Sequence, residues 1–256
     1  KNNSLPVLIY ENDQNKHHYY PHSDEQKILD IIFKNFNKLT LKELIGLNYN
    51  LQLIKPESEF LDAYKKYDLK PISNLNIFLD GYFQNKEYIS DRNELQNLFI
   101  DDKKIELVES LFEDVHENYF IHIRRGDYVG KSQYEINYDI YFKNSLKLLL
   151  KNTRINHIYN NNRIKVYVLS NDIEYCKTYQ VLEDFKDKID FIFIEKLDEI
   201  DSFYLMTLCK GGIISNSSYS WWGSYLNNTP EKIIIMPKFW LPDTNINMGF
   251  ENVILV

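Results

Sequence analysis

The feature that most constrains this chain of 256 residues is a rhythm in its second half, where short apolar runs alternate with longer helical patterns. Runs of this length between turn residues predict strands, and apolar residues at helical spacing predict helices. The alternation is typical of an α/β domain in which helices wrap a parallel sheet. The predicted strands are 119–123, 164–169, 191–194, 212–215 and 233–236, and the predicted helices are 138–150, 173–180, 202–209 and 220–226.

The first half carries weaker signals. Short apolar runs at 5–10 and 77–84 predict two strands. The charge-rich stretch 101–118 predicts a helix that faces solvent. We therefore expect two domains, 1–115 and 116–256.

Bulk properties exclude some classes of partner. The net charge of -7 and the pI near 5.4 argue against the basic face that nucleic acid requires. No apolar stretch reaches the ~18 residues of a membrane-spanning helix. Cys209 lies in an apolar stretch and is expected to be a buried thiol, and no disulfide between Cys176 and Cys209 is expected. Phosphate binding, if present, must depend on a local group of cations.

Two adjacent arginines follow the first of the later strands, in the segment His122-Ile123-Arg124-Arg125-Gly126-Asp127. Arginine presents a rigid fork of donors that matches phosphate oxygens, which predicts an anion site. The alternative is a weak surface salt bridge between an arginine and Asp127. Strand alternation would turn Arg124 and His122 to one side and Arg125 to the other. Arg124 is therefore the predicted ligand, and Arg125 is a candidate for a structural role.

Two further strand ends carry polar residues. Asp172 could accept hydrogen bonds from a base or ribose, or it could cap the following helix. The segment from Asn216 opens another helix, where backbone N–H groups and hydroxyls suit a phosphate, although capping explains it equally well. The hydroxyls belong to Ser217, Ser218 and Ser220. Ligands bind outside the carboxyl ends of parallel strands, so we expect all these residues at one edge.

The familiar metal and phosphate motifs are missing. The chain has no Gly-x-Gly-x-x-Gly, no Walker loop and no Asp-x-Asp of the kind that holds a metal under a sugar nucleotide. His17, His18 and His22 lack accompanying ligands at metal spacing and predict a solvated loop. A site that neutralises a diphosphate with arginine and a helix N-terminus fits these residues better.

Three segments, in their order and spacing, resemble the motifs of the family 11 glycosyltransferases, the α-1,2-fucosyltransferases. Residues 81–84 and 237–240 also resemble family positions, so the resemblance covers roughly 77 to 243. The three segments are His122-Ile123-Arg124-Arg125-Gly126-Asp127-Tyr128-Val129, Leu169-Ser170-Asn171-Asp172, and Ile213 to Gly223.

The resemblance implies a GT-B-like α/β fold of two facing Rossmann-type domains, with GDP-fucose held mainly by the second. It implies inversion at the anomeric carbon with no cofactor and no metal ion. Carried over to this chain, Arg124 would contact the β-phosphate and stabilise departing GDP, while His122 and Asp172 would lie at the guanosine. The implied donor site also includes Arg125, Asn216, Ser217, Ser218 and Ser220.

The acceptor hydroxyl must lose a proton, and Asp127 and Glu135 are the local carboxylates available as the base. Asp127 could instead orient an arginine. Resemblance alone implies an acceptor that ends in galactose, on an oligosaccharide or lipopolysaccharide. The rivals are a transferase for another GDP-deoxysugar and a GDP-sugar-binding subunit without turnover.

The chain departs from the family in one respect. A glycine-rich opening of the form Gly-Gly-Leu-Gly-Asn-Gln is absent, and Leu5–Tyr10 resembles the strand that would follow it. We therefore expect the N-terminal domain to be incomplete, which puts the activity of the polypeptide in question. We expect a cytoplasmic enzyme at the periphery of the inner membrane, or a luminal one if an anchor is missing.

Overall fold

The computed structural model describes residues 91–256 apart from 158–162 and 243, together with Lys86, Ile89 and the backbone of four strands nearer the N-terminus. The chain divides by its contacts into two compact units, Lys1–Ile100 and Asp101–Val256. The second unit therefore starts before the domain boundary expected near residue 115. The two-domain interpretation with that boundary stays a prediction.

The first unit contains two parallel strand pairs and a helix. Strand β1 pairs with β2, and β3 pairs with β4. The predicted strands at 5–10 and 77–84 are found in part, while 80–84 and the three histidines of the predicted loop lie outside the described residues. The elements are β1 Val7–Tyr10, β2 Asn37–Thr40, β3 Leu51–Ile54, β4 Asn76–Leu79 and α1 Arg92–Phe99.

The second unit is built on a sheet of six parallel strands, which confirms the predicted α/β class. The spatial order β7-β6-β5-β8-β9-β10 is the 3-2-1-4-5-6 order of a doubly wound nucleotide-binding sheet. The order reverses between β5 and β8. The strands are β5 Tyr119–Ile123, β6 Ile164–Ser170, β7 Ile189–Phe193, β8 Gly211–Ile213, β9 Ile233–Met236 and β10 Val253–Leu255.

Helices cover the sheet. The predicted helix at 173–180 is two short helices, α4 and α5, because Tyr179 adopts an extended backbone between them. The other three predicted helices are present with shifted ends. The helices of this unit are α2 Asp102–Leu111, α3 Tyr138–His157, α4 Ile173–Lys177, α5 Gln180–Glu183, α6 Glu199–Leu208 and α7 Ser218–Leu226.

Alternation along β5 separates the two sides of the sheet. Ile121 and Ile123 pack in a core with Phe142 and Leu146 of α3. The side chain of His122 points the other way, and its ring lies 5.4 Å from the ring of Tyr219 in α7. The strand end therefore stands between two helical layers.

The charge-rich stretch is a helix, α2, but it is not wholly solvent-facing. Val108 is fully buried, and α2 packs against α6. The hydroxyl of Tyr204 in α6 accepts a hydrogen bond of 2.9 Å from the backbone N–H of Asp101. No helix in the described part of the chain is long and apolar enough to cross a membrane.

Candidate donor-binding site

The predicted site residues lie at or near the carboxyl edge of the sheet, around the point where the strand order reverses. Arg124 follows β5, and Asn216 follows its neighbour β8. In open α/β sheets this crevice is where ligands bind, because the loops on either side diverge there.

Side chains from both neighbouring strands hold the end of β5. The Ser215 hydroxyl donates to the carbonyl of His122 at 2.8 Å and accepts from the backbone N–H of Arg124 at 2.9 Å. On the other side, the Ser170 hydroxyl donates to the carbonyl of Ile123 at 2.7 Å. Asn171 Oδ1 accepts from the backbone N–H of Arg125 at 2.9 Å. The backbone that carries both arginines is therefore fixed from two directions.

The sequence did not predict that these residues hold the backbone at the end of β5. The signal was present, because Ser170, Asn171 and Ser215 stand at or just after the ends of strands, inside the recognised motifs. A polar residue in that position can bind a ligand, cap a helix or bond a neighbouring loop, and only the strand order decides between these.

Arg124 pairs with a carboxylate three residues further along its own loop. Its Nη2 donates to Asp127 Oδ1 at 2.6 Å, and its guanidinium carbon lies 5.6 Å from the ring centroid of Tyr128. Asp127 is half exposed, so solvent weakens this ion pair. In this arrangement Asp127 orients the arginine, and its role as a base stays a prediction.

Arg125 is held by a different set of groups. Its Nε donates to Asp172 Oδ2 at 3.2 Å, and its guanidinium stacks 3.4 Å from the ring centroid of Tyr175. Asp172 Oδ1 also caps α4, accepting from the backbone N–H of Tyr175 at 3.3 Å. Both carboxylate oxygens of Asp172 therefore accept hydrogen bonds within the protein, and the bond from Tyr175 is the helix cap that the sequence offered as an alternative.

His122 is buried, and burial is the main reason that its pKa falls to about 3, with the charge of Arg124 adding to the effect. The imidazole is therefore neutral at physiological pH. Its Nδ1 has no hydrogen-bond partner among the described residues.

The start of α7 holds the remaining predicted residues. Ser217 stands at the N-cap without a side-chain capping bond, Ser218 is exposed, and the buried Ser220 hydroxyl donates to the carbonyl of Ser217 at 3.3 Å. Asn216 is buried, and its amide bonds three protein groups. The first turn of α7 presents backbone N–H groups, which suit an anion.

A cleft opens beside β5 and brings some of the predicted residues together. Both Arg124 and Arg125 line it, although strand alternation predicted that their side chains would point to opposite sides. Alternation does not extend to the arginines because β5 ends at Ile123. His122, Asp172 and the α7 residues lie outside its walls. Glu135 lines it too and accepts from the backbone N–H of Gly130 at 2.9 Å. Its aromatic lining residues are Tyr128, Tyr138, Phe142, Tyr175 and Tyr179.

Within residues 91–256, outside the two gaps, no group of three or more His, Cys, Asp and Glu side chains is placed to hold a metal ion. Cys176 and Cys209 are free thiols, and Cys209 is buried as expected; Cys176 is buried too.

A doubly wound parallel sheet with arginines and a helix N-terminus at its switch point is an arrangement typical of nucleotide-binding α/β proteins. The chain belongs to glycosyl transferase family 11, whose sequence model matches residues 17–251. The resemblance stated from the motifs is thereby confirmed at the level of the family.

Two proteins of Escherichia coli are similar to this chain. An alpha-1,2-colitosyltransferase is 32% identical over 174 residues, which are 65% of this chain and 57% of that protein. The O-antigen biosynthesis glycosyltransferase WbnK is 27% identical over 243 residues, which are 87% of this chain and 75% of that protein. The match thus spans less than two thirds of the colitosyltransferase.

Among solved structures, POFUT1 in complex with GDP is similar at a TM-score of 0.41 and 11% identity, covering 81% of this chain and 82% of that one. POFUT1 in complex with GDP-fucose gives a TM-score of 0.39 at the same identity, with the same shares covered.

Proposed function

We propose that this chain transfers fucose from GDP-fucose to a hydroxyl of a glycan, O2 of a terminal galactose, with inversion and without a metal ion. The observation that carries the proposal is the position of Arg124 at the switch point beside the start of α7, where Ser215 holds its backbone and Asp127 accepts from its guanidinium. A guanidinium in this position suits a diphosphate.

In the proposed reaction the acceptor oxygen attacks the anomeric carbon of fucose while the bond from that carbon to the β-phosphate oxygen breaks. GDP leaves with the electron pair, so negative charge grows on its terminal phosphate. Arg124 stabilises that charge more in the transition state than in the ground state, which accelerates the step. The acceptor's proton passes to a carboxylate, for which Asp127 and Glu135 are the candidates.

The remaining residues would bind the donor without taking part in bond changes. The first turn of α7, with Ser217, Ser218 and Ser220, would line the diphosphate. His122 would lie at the guanosine as a neutral group, since its pKa is lowered to about 3. Asp172 would accept from the guanosine with the lone pairs that its bonds to Arg125 and Tyr175 leave over.

A second donor is favoured by one of the relatives. Because a protein 32% identical to this chain is named an alpha-1,2-colitosyltransferase, a colitosyl donor carried on GDP belongs in any donor panel. The name of WbnK supports an acceptor of the O-antigen type, on lipopolysaccharide. Such an acceptor would place the enzyme on the cytoplasmic side, at the periphery of the inner membrane.

Calorimetric titration with GDP in EDTA tests the donor site before any acceptor is known. We expect micromolar binding of GDP and much weaker binding of UDP and ADP. Equal binding of the three nucleotides, or none, would overturn the proposed site. GDP binding without sugar transfer, from any donor of the panel to any acceptor tested, would favour a GDP-sugar-binding subunit without turnover.

Arg124→Ala tests the catalytic claim. We expect kcat to fall by roughly 10²–10³-fold with the fold intact, as when one transition-state donor is lost. Arg163→Ala is the matched control, since that arginine precedes β6 at the opposite edge and bonds Lys186 and Asp190. Near-normal turnover in Arg124→Ala would refute the assignment.

A further inference from the structure

Asn216 is buried at the centre of the carboxyl edge, between β8 and α7. Its Nδ2 donates to the carbonyls of Tyr134 and Trp240, both at 2.9 Å. Its Oδ1 accepts from the hydroxyl of Tyr138 at 2.6 Å. One amide therefore joins the segment after β5, the start of α3 and the segment after β9, and both of its N–H groups are used.

The same residue controls the surroundings of Arg124 by two routes. The main-chain carbonyl of Asn216 accepts from the hydroxyl of Tyr128 at 3.2 Å. Tyr128 also stacks on Tyr134, with ring centroids 4.5 Å apart, and the carbonyl of Tyr134 is bound by the Asn216 amide. The guanidinium carbon of Arg124 lies 5.6 Å from the centroid of the Tyr128 ring. Asn216 therefore fixes the position of the aromatic ring that faces Arg124.

We infer that Asn216 is a positioning residue that orients Arg124 through the stacked pair Tyr128 and Tyr134, and that its side chain is not a donor ligand. A ligand would have to displace bonds that satisfy both N–H groups of a buried amide, which is costly. The inference rests on the proposed function for its effect on turnover, but its structural part does not.

The chain offers a matched control at the far end of α7. Asn227 is also fully buried, and its Nδ2 donates to two carbonyls, those of Met206 at 2.9 Å and Cys209 at 2.7 Å. Its Oδ1 accepts from the backbone N–H of Thr229 at 2.9 Å. Asn227→Ala therefore removes the same kind of anchor without touching the stacked tyrosines.

Activity of the whole chain provides the first test. We expect Asn216→Ala to lower kcat by roughly 10–100-fold, the cost of a misplaced catalytic group, while the KM for the donor changes by less than about 3-fold. Asn227→Ala should leave the kcat of the folded protein unchanged. Tyr128→Ala should lower kcat too, and the double variant with Asn216→Ala should lower it no further.

Arginine side-chain NMR provides a second test that needs no turnover. The Nε resonance of Arg124, assigned by its loss in Arg124→Lys, should shift in Asn216→Ala and stay in place in Asn227→Ala, because only the former moves the Tyr128 ring. Equal effects of the two asparagine variants on kcat or on this resonance, or additive effects of Asn216→Ala and Tyr128→Ala, would overturn the inference. Wild-type protein that transfers no sugar would refute the proposed function and leave the NMR result to decide the positioning role.

Discussion

His122 shows what a single side chain can report about the site. It lies in a five-residue strand in which every residue is buried, and its ring touches Tyr219. Burial disfavours the imidazolium, and Arg124 disfavours it further, so the pKa is lowered to about 3. A neutral imidazole can offer one donor and one acceptor to a ligand, which an imidazolium cannot.

The lowered pKa makes the stability of the protein depend on pH. Below about pH 6.5 the unfolded chain takes up a proton at this histidine and the folded chain does not, so the free energy of unfolding falls as the pH falls towards 3. Between pH 7 and 5 this single group should remove about 2 kcal/mol. Urea unfolding measured at both pH values should show that the free energy of unfolding of His122→Asn falls less than that of wild-type protein, by about that amount.

His116→Asn is the control for that comparison, because the side chain of His116 is half exposed. The expected effect of burial would be contradicted if the free energy of unfolding fell equally on acidification in His122→Asn and in wild-type protein.

Some single-residue roles were within reach of the sequence and others were not. Arginine after an apolar strand indicates an anion site from its chemistry alone, and Arg124 needed no structure to be singled out. Asn216 was predicted to bind the sugar-nucleotide donor because of its motif. The hydrogen bonds of its side chain, however, go to groups 24 to 82 residues away in the sequence. No local pattern encodes such distant partners.

Among the elements, the strands were the most predictable. Short apolar runs bounded by polar turns identified β5 and β9 with their observed ends, since buried parallel strands are apolar throughout. Strand β10 was missed because it is only three residues long, Val253–Leu255, and follows a polar segment. The charged residues of α2 obscured its buried face, because Val108 is the one buried residue of this helix and its other apolar side chains are not buried.

The turn after β5 depends on a glycine for its close approach to β6. Gly126 has φ +40, and a Cβ there would stand 2.1 Å from Asn171 Nδ2. Gly126→Ala must therefore move Asn171, which accepts from the backbone N–H of Arg125. We expect an affinity for GDP about 10-fold lower by calorimetry, the equivalent of one lost hydrogen bond.

Gly130→Ala separates strain from displacement in that experiment. Gly130 has φ +75, but no atom lies within 4 Å of the position that a Cβ would take, so alanine there costs about 1 kcal/mol of backbone strain and displaces nothing. Its affinity for GDP should match that of wild-type protein. Equal weakening by both alanines would show that strain, not the contact with Asn171, governs binding.

At the scale of the whole molecule, the sequence predicted the α/β class but not the order of the strands. Alternating strands and helices require parallel pairing, yet several strand orders satisfy that pattern. The observed order places β5 between β6 and β8, which brings Ser170, Asn171 and Ser215 against one turn. The residues that hold the turn after β5 are therefore brought together by the strand order, which the sequence did not predict. The two arginines could be found from the motif alone.

The division of contacts leads to a prediction about the second unit alone. Asp101–Val256 contains the six-stranded sheet, its helices and every predicted donor-binding residue. Expressed by itself, it should unfold in one cooperative transition and bind GDP within about 10-fold of the affinity of the whole chain, provided the second unit holds most of the donor. Starting the fragment at residue 116 should lower its stability, because it removes α2, the buried Val108 and the bond between Asp101 and Tyr204. A folded fragment 101–256 that binds no GDP would mean that the first unit supplies an essential part of the site.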